Sequence, residues 1–152
     1  MKRLLFVAFL AVSLVSCASC SKNTVTSASN SNTNSTGSKM KIKIGNNIFT
    51  ATLYDNKTAT AFKSLLSIRV NMIELNGNEK YIDLPHSLPA NASNPGTIQA
   101  GDLMLYGSST LVLFYKTFST SYSYTKLGRI DDVTALAATL GTSNVIVSFE
   151  LE

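Results

Sequence analysis

Two stretches of the chain, Asp102–Gly107 (DLMLYG) and Thr110–Tyr115 (TLVLFY), are almost unbroken apolar runs. Runs this short and this apolar are expected of strands buried on both faces. Their neighbours read differently. Met40–Ile44 (MKIKI) alternates apolar and polar, as a half-buried strand does. After the turn signal Gly45-Asn46-Asn47, a second strand from Ile48 to Leu53 places Phe49, Ala51 and Leu53 on one face. Ser67–Leu75 puts Ile68, Val70 and Met72 on one side, and Asn76-Gly77 follows as a two-residue hairpin signal, since both residues tolerate positive φ. Lys80–Leu84 returns as its partner, "TKLGRI" makes another short strand, and Val145, Val147, Phe149 and Leu151 form the inward face of a last one.

Two segments switch to helical spacing. Ala59, Phe62, Leu65 and Leu66 make one stripe, and Val133, Leu136, Ala137 and Leu140 another. Asp131 and Asp132 are expected at the start of the second helix, where carboxylates suit the dipole, and Gly141 at its end. Strands dominate and hairpins join many of them. The expected fold is mostly β: a closed antiparallel barrel with two helices packed on it, closure removing the exposed edges. A long loop, "PHSLPANASNPGTIQAG", holds all three prolines, and loops of that length are usually functional or mobile.

The start of the chain belongs to another kind of structure. Met1-Lys2-Arg3 is basic, and Leu4–Val15 is an apolar run too short for a membrane span, which takes about 20 residues, but suited to a signal-peptide core. It ends in Leu14-Val15-Ser16-Cys17, which resembles the lipobox of bacterial lipoproteins. That resemblance implies a signal peptide over residues 1–16, cleavage before Cys17 and a diacylglyceryl group on its sulfur. Two acyl chains on one residue meet the two-signal requirement for stable anchoring. Ala18 follows, where inner-membrane retention is associated with aspartate, so the outer membrane of a bacterial envelope is the expected location. Cys17 and Cys20 also spell C-x-x-C, but a redox pair needs a folded surround that lowers a thiol pKa.

From Ser21 to Lys39, Ser, Thr and Asn make up fourteen of nineteen residues. Such a segment cannot bury enough apolar surface to offset its ordering entropy, so residues 17–39 are expected to form a tether, with a reach of about 25 Å. The folded domain is then 40–152. Within it nine Lys plus Arg balance nine Asp plus Glu, so the chain's net charge of +4 lies in the leader and tether. Without a basic cluster the domain is not a nucleic-acid binder.

The run from Gln99 to Glu150, with "ELNGNEKYIDLPHSLPANASNPG" before it, resembles the bacterial cyclophilin-like fold proteins over essentially Met40 to Glu150. "NPGTIQAGDLMLYG" and "LGRIDD" carry it most specifically. The resemblance implies an eight-stranded antiparallel barrel with a helix closing each end. True cyclophilins are peptidyl-prolyl isomerases that use an arginine, a glutamine before a Gly-Gly-Asp turn, an aromatic proline pocket, a tryptophan and a histidine. Gln99-Ala100-Gly101-Asp102 is similar to the glutamine turn, and Lys80 falls roughly at the arginine. The chain has no Trp, its single His is His86 in the long loop, and a lysine lacks the planar fork of arginine. A degenerate isomerase site is the expectation.

One histidine and no cysteine beyond residue 20 exclude a metal centre or a nucleophile triad in the domain, so no cofactor is expected. Tyrosines cluster instead between 106 and 124. Two arrangements compete. In one, Leu111, Leu113 and Phe114 fill the core and the tyrosines lie over the barrel surface. In the other, Tyr106, Tyr115, Tyr122 and Tyr124, with Gln99 and Arg129, line a groove for a small molecule or peptide beside the "TFSTSYSY" loop. The expected role is binding, with weak isomerase activity as the alternative.

Overall fold

The computed structural model describes residues 37–152. The leader, Cys17, Cys20 and all but the end of the Ser/Thr/Asn tract lie outside them. The described chain runs β1 (Lys39–Ile44), β2 (Asn47–Leu53), α1 (Lys57–Lys63), β3 (Ile68–Leu75), β4 (Glu79–Asp83), β5 (Thr97–Ile98), β6 (Asp102–Tyr106), β7 (Thr110–Phe114), β8 (Phe118–Ser119), β9 (Thr125–Ile130), α2 (Leu136–Leu140) and β10 (Val145–Leu151). Eight strands close into a barrel in the order β1-β10-β3-β4-β7-β6-β9-β2, every neighbouring pair antiparallel. β5 and β8 pair separately.

Period-two alternation explains the interior. Met40 and Ile42 of β1, Ala51 and Leu53 of β2, Met72 of β3, Leu103 and Leu105 of β6, Leu111 and Leu113 of β7, and Val147 and Phe149 of β10 are all buried in one core. Leu151 is exposed, because β10 reaches the rim of the barrel there. Strand β1 begins at Lys39, a residue expected in the tether. Its Nζ donates to Asp131 Oδ2 at 2.7 Å and Thr52 Oγ1 at 2.6 Å, so a cation at the edge of the fold finds partners on two other elements.

The helices lie at opposite ends. α1 leads into β3 and α2 into β10, and these two strands are antiparallel neighbours. Asn56 caps α1, accepting from Ala59 N at 2.8 Å and donating to Lys126 O at 2.9 Å. Phe62 then enters the core edge-on to Phe149, centroids 5.9 Å apart. α2 departs from expectation: it starts at Leu136, after both aspartates. Asp131 accepts from Lys39 and Thr52, and Asp132 Oδ1 takes Thr134 N and Oγ1 at 2.9 and 2.6 Å. Those partners hold the aspartates in a turn. Leu136 and Leu140 are buried, whereas Val133 and Ala137 are exposed.

The twice-buried strands need a cover on their outer side. Met104, Val112 and Phe114 face outward and pack with Ile98, Tyr124 and Phe118 in a second cluster. The cover comes from the proline-rich loop and the segment after β7, joined by β5–β8 and by the Ser93–Tyr124 bridge. Leu88 N donates to Ser108 O at 2.7 Å and Thr58 Oγ1 to Pro89 O at 2.6 Å, so the long loop is pinned to the barrel. Gly128 of β9 is needed where β2 comes close: a Cβ there would stand 2.6 Å from Thr52 O. Among the described residues no helix is long and apolar enough to cross a membrane.

Candidate functional site: a tyrosine groove on the outer barrel face

Where the cover segment meets β4, β7 and the end of β6, it leaves a groove of about 490 Å³. Tyr81, Tyr106, Tyr122 and Tyr124 line it, with Glu79 and Phe118. The rings are set at angles to one another. Tyr106 lies 6.2 Å from Tyr122 at 90° and 5.6 Å from Tyr124 at 52°, both within the range of favourable aromatic pairs. Tyr124 is also edge-on to Phe114 at 5.4 Å, which anchors the groove to the second cluster. Tyr122 is the free wall, 62% exposed, while Tyr124 is 7% exposed. Burial, then the Glu79 charge, pushes the Tyr124 phenol up. Tyr124 thus lies against the barrel and lines the groove at once.

Three residues expected in the groove are elsewhere. Tyr115 follows outward-facing Phe114, so alternation turns it inward, where its hydroxyl donates to Glu74 Oε1 at 2.9 Å. Arg129 lies on β9 beyond β6, 3.8 Å from Asp102 Oδ1, beside a separate concavity with Tyr54 and Asp131. Gln99 is held in the tight turn before β6: its N donates to Asp102 Oδ2 at 2.8 Å, and its Oε1 faces Thr117 Oγ1 at 3.4 Å.

Lys80, which the resemblance puts roughly at the cyclophilin arginine, does not line the groove. It is fully buried inside the barrel, not on an outer face. Its ammonium pairs with Glu74 and donates to Gly141 O at 2.9 Å and Ser143 O at 2.7 Å, using all three donors. It also lies 5.4 Å from the Tyr115 ring centroid. Burial pushes the Glu74 carboxyl up, but bonds from Lys80, Tyr115 and Gly77 N outweigh it and hold the carboxyl below its usual value. Burial, then the bond to Glu74 and the charges of Glu74 and Glu79, push the Tyr115 phenol up to about 12.

Glu79 and Tyr81 are groove residues that the sequence alone does not single out. Both stand on β4 with side chains on the outer face, Glu79 opposite Phe114 and Tyr81 opposite Val112. Glu79 is 9% exposed. Its carboxylate has no ion-pair or side-chain hydrogen-bond partner among the described residues. Burial, then the charge of Glu74, pushes it up. Four oriented phenol rings around one unpaired carboxyl can bind and orient a ligand. No group of three or more His, Cys, Asp or Glu residues placed to hold a metal occurs among the described residues.

A closed eight-stranded antiparallel barrel with two helices is the architecture of a cyclophilin-like protein. The chain belongs to the Cyclophilin-like family, which matches residues 42–150. The solution structure of a hypothetical protein from Archaeoglobus fulgidus is similar, with a TM-score of 0.53 and 16% sequence identity, covering 77% of this chain and 96% of that one. At that identity the likeness concerns the fold alone. No curated protein matches the chain.

Proposed function

We propose that this is a lipid-anchored bacterial envelope protein whose cyclophilin-like domain binds a small molecule or peptide in the tyrosine groove, without catalysis. One observation carries the binding reading: four of the chain's six tyrosines converge on one groove of about 490 Å³. Amphipathic rings and a few placed polar groups are what a pocket for such a ligand requires. The anchoring reading rests on the lipobox-like Leu14-Val15-Ser16-Cys17 and the polar tract after it. On this account Cys17 carries the lipid, and Cys17→Ser shifts the chain from the membrane fraction to the soluble one. Retention of Cys17→Ser in the membrane would contradict the anchor.

The binding reading is tested by a ligand screen on wild type, Tyr122→Ala and Arg129→Ala. Tyr122 is exposed, so its loss removes a groove wall without opening the core. The expected result is a ligand that Tyr122→Ala loses and Arg129→Ala keeps. Ligands that respond to Arg129 alone would move the site to the other concavity. Weak peptidyl-prolyl isomerase activity is the rival, favoured by the Gln99–Asp102 turn. Against it stand the burial of Lys80 and the position of Gln99 outside the groove. A proline-peptide assay showing acceleration over the uncatalysed rate would decide for the rival.

A further inference from the structure

The groove's chemistry narrows its ligand, given that the groove is a binding site. Its lining contains no Lys, Arg or His, and Glu79 is its only carboxylate. Asn78, another lining residue, holds a buried Oδ1 with no hydrogen-bond partner among the described residues. The potential in the groove is therefore negative. A carboxylate on a largely buried residue, left without a side-chain partner, costs stability unless something compensates it. Tyrosine faces add to the same sign, since the ring quadrupole attracts cations within about 6 Å. We propose that the groove binds an organic cation, such as a protonated amine, with Glu79 as its counter-charge and Tyr81, Tyr106, Tyr122 and Tyr124 as its walls.

The charge of Glu79 sets a pH dependence. The titratable neighbours that act on it or feel it are Glu74 on β3, Tyr115 after β7 and Tyr124 on the cover; Tyr81 shares its strand, and Tyr106 and Tyr122 share its groove. Lys80 is next in sequence but faces the interior. Cation binding needs the carboxylate, so affinity rises as pH rises through the Glu79 titration. Glu74 keeps its charge over that range, because its carboxyl titrates lower.

The test uses the full-length chain and two probes of nearly the same shape, phenethylamine and phenethyl alcohol, followed by calorimetry. The amine is expected to bind about ten-fold tighter than the alcohol near neutral pH. Glu79→Gln should bring the amine to the level of the alcohol. Acidification should do the same in wild type. An amine that binds no better than the alcohol, or that keeps its advantage in Glu79→Gln, overturns the proposal. If both probes bind equally and Tyr122→Ala weakens both, the groove is a ligand site and only its cation selectivity is wrong. If neither probe binds, the cation proposal fails, and the Tyr122→Ala screen decides the groove separately.

Discussion

Glu79 and Lys80 are adjacent and oppositely charged, yet they do not pair. β4 turns Lys80 into the barrel, where it meets Glu74, Gly141 O and Ser143 O, and turns Glu79 to the outer face, where no described side chain neutralises it. The interior charge is satisfied by the fold. The outer one is not.

That difference fixes how stability responds to pH. The folded-state pKa of Glu79 lies above its ordinary value of 4.5, so its contribution is favourable when protonated and is lost as pH rises through the folded value. Glu79→Gln is therefore expected to stabilise the domain at neutral pH, with the gain shrinking toward pH 4. Urea titrations at both pH values measure it. A variant that is less stable than wild type at neutral pH would show that Glu79 has a partner in the folded state.

The interior cluster behaves in the opposite sense. Lys80→Met keeps much of the packing but leaves Glu74 charged and two carbonyls without their donor. Breaking a buried pair from one side costs about 3–5 kcal/mol, and Lys80→Met should lose an amount in that range by chemical denaturation. Tyr115→Phe removes one bond to the same carboxylate and should cost about 1.5–3 kcal/mol. The double variant should lose less than the sum, since both act through Glu74.

Tyr115 also contributes to the alkaline limit, as do Tyr54 and Tyr124, whose phenols burial likewise pushes up. The Tyr115 phenol titrates at about 12 in the folded chain against 10.0 for an ordinary tyrosine. A raised pKa gives stability that is complete below the unfolded value and lost as pH rises through the folded one. Stability should therefore fall between about pH 10 and pH 12, and Tyr115→Phe should flatten that fall. Phenolate absorbance should show one tyrosine ionising last in wild type and missing from the variant.

The barrel was legible because its strands obey simple alternation, from MKIKI in β1 to NVIVSFELE around β10. The twice-buried β6 and β7 stood out as continuous apolar runs. Three of the groove tyrosines were visible because they cluster in sequence. Glu79 and Tyr81 were not, and the hairpin gives the reason. Asn76 and Gly77 both adopt positive φ, 57° and 68°, as the Asn-Gly signal implies. A two-residue turn would then set Leu75 opposite Asn78 and Glu74 opposite Glu79. Instead Asn78 is an extra residue, and Leu75 pairs with Glu79 and Glu74 with Lys80. A shift of one residue reverses every side chain in a strand. EKYID has polar groups on both faces, so no hydrophobic pattern betrays the shift. Arg129 failed for a related reason: sequence proximity to the tyrosines says nothing of the β6 strand that separates them.

Entry of a cation into this groove can be read directly, because the six tyrosines are their own reporters. Full-length chain carrying isotope-labelled tyrosine rings would be titrated with phenethylamine and followed by NMR. Tyr81, Tyr106, Tyr122 and Tyr124 should shift in a saturable way, while Tyr54, outside the groove, and Tyr115, inside the barrel, stay fixed. Shifts led by Tyr54 or Tyr115, or rings that do not respond at all, would contradict cation binding in the groove.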